Sequence, residues 1–584
     1  MGPSMADPGK VRSLVRLGMN IARFNFSHGD HASHGAAMDR VRTASRLEGI
    51  PVALLLDTKG PEIRTGMVRG NGTVRLKRGD PVLVIAEAAA LDSGGDALSD
   101  AGRITISYAE LAADARPGVR ILIADGLVAL EVTSVDGPNL DCVVLDGGEF
   151  GSRKNVNLLG VRTRLPALSD QDKEDLRFGA EQEVDFIAAS FVRKASDVTS
   201  ILRFLSDIGA DIPVISKIED AEGLHNIEEI IRVSSGIMVA RGDLGVQIPV
   251  ERVPIEQKRI ISLCNAAGKP VITATQMLES MIKNPRPTRA EAGDVANAIF
   301  DGTDCVMLSG ETANGAYPEE AVEVMDRIAR EVEASEEYAR RAEARRSLLT
   351  GSSDIDLAIA ESASLIADRI GAAALVVPTM TGNTARLVSR FRPRRKIIAA
   401  TPDQSVLRRL LLYWGVVPIL VEPQKDSESM IQGAIATSIQ HGFAKALDRV
   451  VVVAGLPLHS PLLTNSVRVH VIGNVLGRGN RGFGGRCTGR IVKARSLEEA
   501  AAALRKGGGE ILVTHTLDES FIPILRIVDG VVLEGVSEMP WEMIKAVNPS
   551  IVYVSQVAKA MELFEERLMV TLDGAGKLIY EGAL

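Results

Sequence analysis

The chain has 584 residues, 46% of them hydrophobic, and a formal net charge of −8. That length exceeds what one hydrophobic core supports and implies three or four domains. The acidic balance, with no long basic run, argues against nucleic acid as a partner, so any anion site must be a local cluster of Arg and Lys. No apolar run approaches the ~18 residues needed to cross a bilayer, and MGPSMADPGK contains no apolar signal core. A soluble, cytoplasmic protein with no membrane partner is therefore expected. Cys142, Cys264, Cys305 and Cys487 lack CxxC spacing, which fits buried thiols in a reducing compartment and neither a disulfide frame nor a zinc site.

In chain order, VRSLVRLG (11–18) reads as the end of a helix with a glycine stop. MNIARFNFS reads as a strand whose polar tip supplies Arg23, Asn25, Ser27 and His28. A helix follows, then a buried strand in VALLLDTKGPEIRTG that ends in Asp57, Thr58, Lys59, Glu62 and Arg64. Further apolar strands with polar exits occur at DFIAASF, PVISKIE, GIMVARGD, PVITATQ and DCVMLSGET, separated by helical periodicity. This is the pattern of an α/β (β/α)8 TIM barrel, which gathers its chemistry at the carboxyl ends of the strands. Seven strands are visible where a closed barrel has eight, so the expectation is a barrel whose first strand is missing at the N-terminus. An open barrel would expose two strand edges and core side chains, a large fault for a marginally stable domain. A start placed too late in the gene is the expectation.

The stretch from Pro213 to Gly245 is the centre of the pattern. One strand ends in Lys217, Glu219 and Asp220, and the next ends in Arg241 and Asp243. Glu219 and Asp243 then face one another with an open side, which suits Mg²⁺ or Mn²⁺. Lys217, two residues before Glu219 on the same strand face, sets a positive charge beside the metal and an anionic reactant. Carboxylates and lysines at strand ends also occur simply as solvated loop residues.

Between 67 and 160 the helical rhythm stops. TVRL, DPVLVI, RITIS, VRILIA, LVALEV and LDCVVL are short strands divided by turn residues, the pattern of an inserted β-barrel that hinges as a lid. Residues 1–66 and 161–345 then form the catalytic barrel. Residues 346–475 read as an α/β layer from ALVVPT, KIIAAT, VPILV and RVVVVAG. In it, Thr379, Thr381, Gly382, Asn383 and Thr384 stand at a helix start, either as an anion site or as a plain cap. The Gly/Arg-rich GNVLGRGNRGFGGRCTGR marks a linker into a fourth domain, 480–584.

SKIED followed by GIMVARGDLGV resembles the metal-binding core of the pyruvate kinase family. MNIARFNFSHG, DTKGPEIRTG, PVITATQMLESM and PRPTRAEAGDVANAIFDGTDCVMLSGETANGAYP extend the likeness over roughly residues 10 to 475 in family order. The resemblance implies phosphoryl transfer from phosphoenolpyruvate to ADP, giving pyruvate and ATP, the last step of glycolysis. It implies Mg²⁺ (or Mn²⁺) on Glu219 and Asp243, and Lys217 stabilising the transferring phosphoryl and the enolate. Arg23 would clamp phosphate, with Gly242, Asp243 and Thr275 seating substrate. Thr275, through Ser309 and Glu311, is the candidate route for the proton to the enolate. Asn25, His28, Arg64 and Lys154 would meet the nucleotide. Asn25, Ser27, Asp57 and Thr58 would bind K⁺, a dependence that Glu62 accompanies in the family.

The resemblance further implies a phosphorylated small-molecule effector at the 379–384 loop and a homotetramer. Leu159 stands where the family has a proline, a change expected to alter hinge stiffness. Residues 480–584 resemble the extra C-terminal domain of some bacterial members, similar in turn to the mobile phosphohistidine domain of phosphoenolpyruvate-utilising enzymes. Here VVLEGVSEMPW occupies the turn that needs the histidine and His515 comes too early, so a packing or oligomer-stabilising role is expected. Two rival readings are a metal-dependent pyruvate aldolase, which lacks the lid and the PRPTRAE helix, and a catalytically impaired scaffold.

Overall fold

A computed structural model of the chain describes residues 1–92, 94–349, 354–457, 464–473, 475–504 and 510–582. The chain divides into two compact units: Met1–Asp368 with Leu375–Thr437 and Val452–Val467, and Arg369–Ala374 with Ser438–Val451 and Arg468–Leu584.

The first unit is built on seven parallel strands: β1 (Ile21–Asn25), β2 (Ala53–Asp57), β3 (Phe186–Ala189), β4 (Val214–Ile218), β5 (Gly236–Ala240), β6 (Val271–Ala274) and β7 (Cys305–Val306). They pair in that order, and each coincides with an apolar run expected from the sequence. Strands β2 to β6 are buried on both faces, which is why they read as apolar runs with no polar alternation. The two-residue period still sorts their side chains. Leu54, Leu56, Ile187, Val214, Ile237 and Val271 pack outward with the helices. Leu55, Phe186, Ala188, Ile215, Met238 and Ile272 form a separate inner cluster.

Among the described residues β7 and β1 do not pair, so the curled sheet is open. The expectation that openness would bare the inner side chains is corrected by the 3₁₀ turn Leu410–Leu412. Leu412, 1% exposed, belongs to the inner cluster, with Leu411 packed against it, and the Cys305 thiol donates to the Leu412 carbonyl at 3.4 Å. At the β1 edge the Met1 amino group donates to the Arg23 carbonyl at 2.7 Å. The helix Arg289–Asp301, carried by PRPTRAE, starts with a Thr288/Glu291 capping box and stops at Gly302, φ 98°.

Between β2 and β3 lies a six-stranded sheet in the order Val156–Leu159, Arg120–Ile123, Val128–Asp136, Asn139–Asp146, Pro81–Ala86, Arg103–Ile106. It has its own core, including Val84, Ile104, Ile121, Leu130 and Leu140. The last pair is parallel, because the helix Glu87–Asp92 intervenes where a hairpin turn would have made it antiparallel. Val74–Leu76 pairs instead with Gly148–Phe150. Further along, residues 375–378 pair in parallel with 397–400, and 397–401 with 416–420.

The second unit is an eight-stranded sheet in the order Val475–Arg478, Leu578–Glu581, Met569–Asp573, Arg486–Lys493, Glu510–Thr514, Gly530–Leu533, Val552–Ser555, Arg481–Phe483. The run from Arg486–Lys493 to Val552–Ser555 is parallel. Ile511 and Val513 pack on one face with Phe564, and Leu512 packs on the other with Leu525. His515 follows the strand Glu510–Thr514 and is exposed, its Nδ1 3.4 Å from Glu534. The loop after Gly530–Leu533 contains no histidine.

Because Leu412 fills the inner face of the sheet, Leu412→Ala should lower stability by about 3 kcal/mol. Denaturant unfolding of the full chain checks this. An unchanged first transition would show that the turn only rests against the sheet.

Candidate active site at the strand ends

The strands β1 to β7 end in polar groups, and those from β2, β3 and β4 meet at Lys217. Asn25 and Asp57 are paired residues in the β1/β2 register. Asp57 is fully buried; Arg23 donates to its Oδ2 at 2.6 Å and Lys217 Nζ lies 3.1 Å from its Oδ1. Burial works against the Asp57 charge, but the Arg23 and Lys217 cations overcome it and hold the carboxyl below its ordinary range. Lys217 also lies 2.8 Å from Glu219 Oε1 and donates to Ser190 Oγ at 2.8 Å. All three ammonium hydrogens thus have acceptors. Burial alone would lower its pKa, yet Asp57 and Glu219 raise it, so Lys217 stays charged.

Glu219 is 1% exposed. Its Oε2 accepts from the Phe191 amide at 2.5 Å, which the left-handed backbone of Phe191 (φ 54°) aims at it. Burial pushes the Glu219 carboxyl up to about 7, with Asp243 and Asp57 adding to the rise and Lys217 opposing it. Glu219 and Asp243 share the wall of a cleft of about 270 Å³, which is also lined by Glu62, Asn157, Arg162 and Gln247. Asp220 turns away to cap the helix Ala221–His225, accepting from Gly223 at 2.7 Å.

On the β5 and β6 side, the Gly242 amide donates to Thr275 Oγ1 at 2.8 Å. Thr275 and Gln276 are both left-handed (φ 63° and 55°), and Arg241 holds that turn by donating to the Thr275 carbonyl at 2.6 Å while paired with Asp294. A Cβ on Gly242 would stand 3.5 Å from Thr275 Oγ1, an ordinary contact. Glu311 is engaged at both oxygens, by the Leu278 amide at 3.1 Å and the Ser309 amide at 2.7 Å. Ser309 Oγ is buried and unpartnered among the described residues.

Arg64 and Lys154, expected to meet the nucleotide, stand on adjacent segments. Arg64 donates to Glu62 at 2.7 Å and to the Arg153 carbonyl at 2.9 Å, and the Thr65 amide donates to the Lys154 carbonyl at 2.7 Å. His28 is exposed, and its carbonyl accepts from His34. In the 379–384 loop, Thr379 Oγ1 accepts from the Gly382 amide and Thr384 pairs with Thr464, so both buried hydroxyls have local partners. Thr381 and Asn383 are exposed there.

Four residues escaped the sequence reading. Ser190 and Phe191 stand at the exit of β3, an expected strand from which no site residue was drawn, although the strand-end rule points to it as it does to the others. Arg193 (6% exposed) donates to the Thr163 carbonyl and hydroxyl and to the Leu165 carbonyl, at 3.2, 3.0 and 2.7 Å. It pins the segment that returns from the inserted sheet. Gln247 adds a bond across the cleft to Asn157 at 2.8 Å.

Two acids that share a cleft beside a buried, charged lysine, at the carboxyl ends of a curled parallel sheet interrupted by a β insert, make a site of the kind that phosphotransferases use. Family models match twice: "Pyruvate kinase, barrel domain" over residues 1–322 and "Pyruvate kinase, alpha/beta domain" over 357–470. Pyruvate kinases of Staphylococcus aureus strains MRSA252 and USA300 are each 41% identical over 586 residues, covering 100% of this chain and 98% of theirs. A pyruvate kinase structure from Cryptosporidium parvum superposes with a TM-score of 0.76 at 40% identity, covering 81% of this chain and 94% of that one. The chain belongs to the pyruvate kinase family. Its reaction is phosphoryl transfer between phosphoenolpyruvate and ADP, with pyruvate and ATP as products.

Arg193→Ala removes three bonds from the returning segment. Amide exchange across residues 157–166 should accelerate by about 10–100-fold, with exchange in β4 and β5 unchanged. Equal acceleration in the strands would mean the guanidinium supports the whole sheet.

Proposed function

We propose that the cleft works with Mg²⁺ (or Mn²⁺) on Glu219 and Asp243 and with K⁺ on Asn25, Ser27, Asp57 and Thr58. The state of Glu219 carries this reading. A carboxyl buried to 1% and raised to about 7, with Asp243 adding to the rise, is an incomplete charge set that a divalent ion would complete. Two carboxylates leave the remaining positions to water and substrate oxygens, as a hard cation in phosphoryl transfer requires. Bound there, the divalent ion supplies charge neutralisation for the phosphoryl and enolate oxygens. The K⁺ set is all oxygen with one formal charge, and the β1/β2 register brings Asn25 beside Asp57.

Lys217, held charged among its three acceptors, meets the transferring phosphoryl and the leaving enolate. Arg23 clamps phosphate from the β1 side. Gly242 and Thr275 seat the substrate carboxylate, and Arg64, Lys154, His28 and Asn25 receive the nucleotide. Because the transition state is loose, these residues act by position and charge and form no covalent bond. Thr275 is the proton donor to the enolate, with the buried Ser309 hydroxyl as relay; Glu311, its oxygens already engaged, fixes Ser309 in place. The protein is further read as a cytoplasmic homotetramer with a phosphorylated effector at the 379–384 loop. Residues 480–584 serve packing or assembly.

Lys217→Met should cut turnover by about 10³-fold or more while leaving the fold intact; unchanged turnover by a coupled assay refutes its role. K⁺ should activate, and equal activity with only a bulky organic cation present would remove the monovalent site. Below its pKa Glu219 carries a proton that metal must displace. Mg²⁺ affinity by calorimetry should therefore fall by up to about tenfold per unit as pH drops from 7, and a flat profile would contradict the ligand assignment.

A further inference from the structure

Ser190 lies between Asp57 and Lys217 and is in contact with both. It is 7% exposed, at the exit of β3, and its backbone is fixed where its amide donates to Thr58 Oγ1 at 3.2 Å. Gly60 (φ 72°) backs directly onto it: a Cβ there would come within 2.9 Å of Ser190 Cβ. The side chain is therefore held from behind as well as through its own strand.

Its hydroxyl has one hydrogen to give. Thr58's carbonyl is 2.6 Å away and Asp57 Oδ1 is 3.2 Å away, so the hydrogen goes to Thr58. The oxygen's lone pairs then face Lys217, whose ammonium donates at 2.8 Å. The other two ammonium hydrogens go to carboxylates, Asp57 and Glu219. Ser190 is the one neutral point in that three-point hold, and the one that does not pull the lysine toward a negative charge.

We infer that Ser190 is a positioning residue. It fixes the Lys217 ammonium for the phosphoryl group and ties that position to the Thr58 carbonyl and Asp57, two members of the proposed K⁺ set. A monovalent ion that draws on Thr58 and Asp57 changes what those oxygens offer to Ser190 and Lys217. Occupancy of the cation site is then read out at the lysine through a single hydroxyl. This rests on Lys217 acting on the phosphoryl group.

The test uses the full chain, Ser190→Ala, Ser190→Cys and Lys217→Met. It measures kcat, KM for ADP and for phosphoenolpyruvate, half-saturating K⁺ and melting temperature. In the Ser190 variants kcat should fall about 10–100-fold, as for loss of a charged hydrogen bond, with KM for ADP unchanged. Half-saturating K⁺ should rise several-fold and the melting temperature should stay near the parent's. A kcat close to the parent's, or a loss of kcat with an unchanged K⁺ curve, overturns the inference. If the alanine variant fails to fold, the cysteine variant, which keeps the side-chain shape but bonds weakly, is judged by the same criteria. Full turnover by Lys217→Met would instead discard the reading on which the inference rests, so the two failures are separable.

Discussion

A buried ammonium must find three acceptors, and at Lys217 that requirement organises the whole set of strand ends. Asp57 arrives from β2, Ser190 from the end of β3 and Glu219 from just beyond β4 itself, so three neighbouring strands must end at matching heights for the lysine to be satisfied. The parallel register provides that match. The cost of burying charge is met locally: Asp57 is held ionised by Arg23 and Lys217, while Glu219, with the further acid Asp243 near it, is left short of positive charge. The imbalance lies on the wall of the cleft that Glu219 shares with Asp243.

The strands were legible because a parallel sheet covered on both faces needs uninterrupted apolar runs. Their polar exits were legible because most of the apolar runs stop in a cluster of charged or hydroxyl residues. Asp57, Lys217, Glu219 and Asp243 were all found this way. Ser190 was not, since a serine after an apolar run looks like any turn residue, and its partners Thr58 and Lys217 lie far from it in sequence. The parallel pairing of 81–86 with 103–106 was hidden for a different reason: the short helix Glu87–Asp92 that reverses the expected direction is too brief to show a period.

The seven-strand sheet also shows what strand counting misses. From the sequence, an incomplete barrel means bare hydrophobic residues at its centre. Leu411 and Leu412, more than a hundred residues after β7, supply the cover from a turn between a helix and a strand. Arg193 is a second example of a long reach, holding the backbone of Thr163 and Leu165 with a side chain that reads in sequence as one more surface cation.

The Leu410–Leu412 turn makes the layer after residue 374 part of the catalytic half's own interior. A fragment cut at the charged helix near residue 345 would lose that plug and present Leu55, Phe186 and Ile272 to water. Evolution could not exchange the later layer for another module without also supplying a replacement stopper, so the two segments are bound to change together.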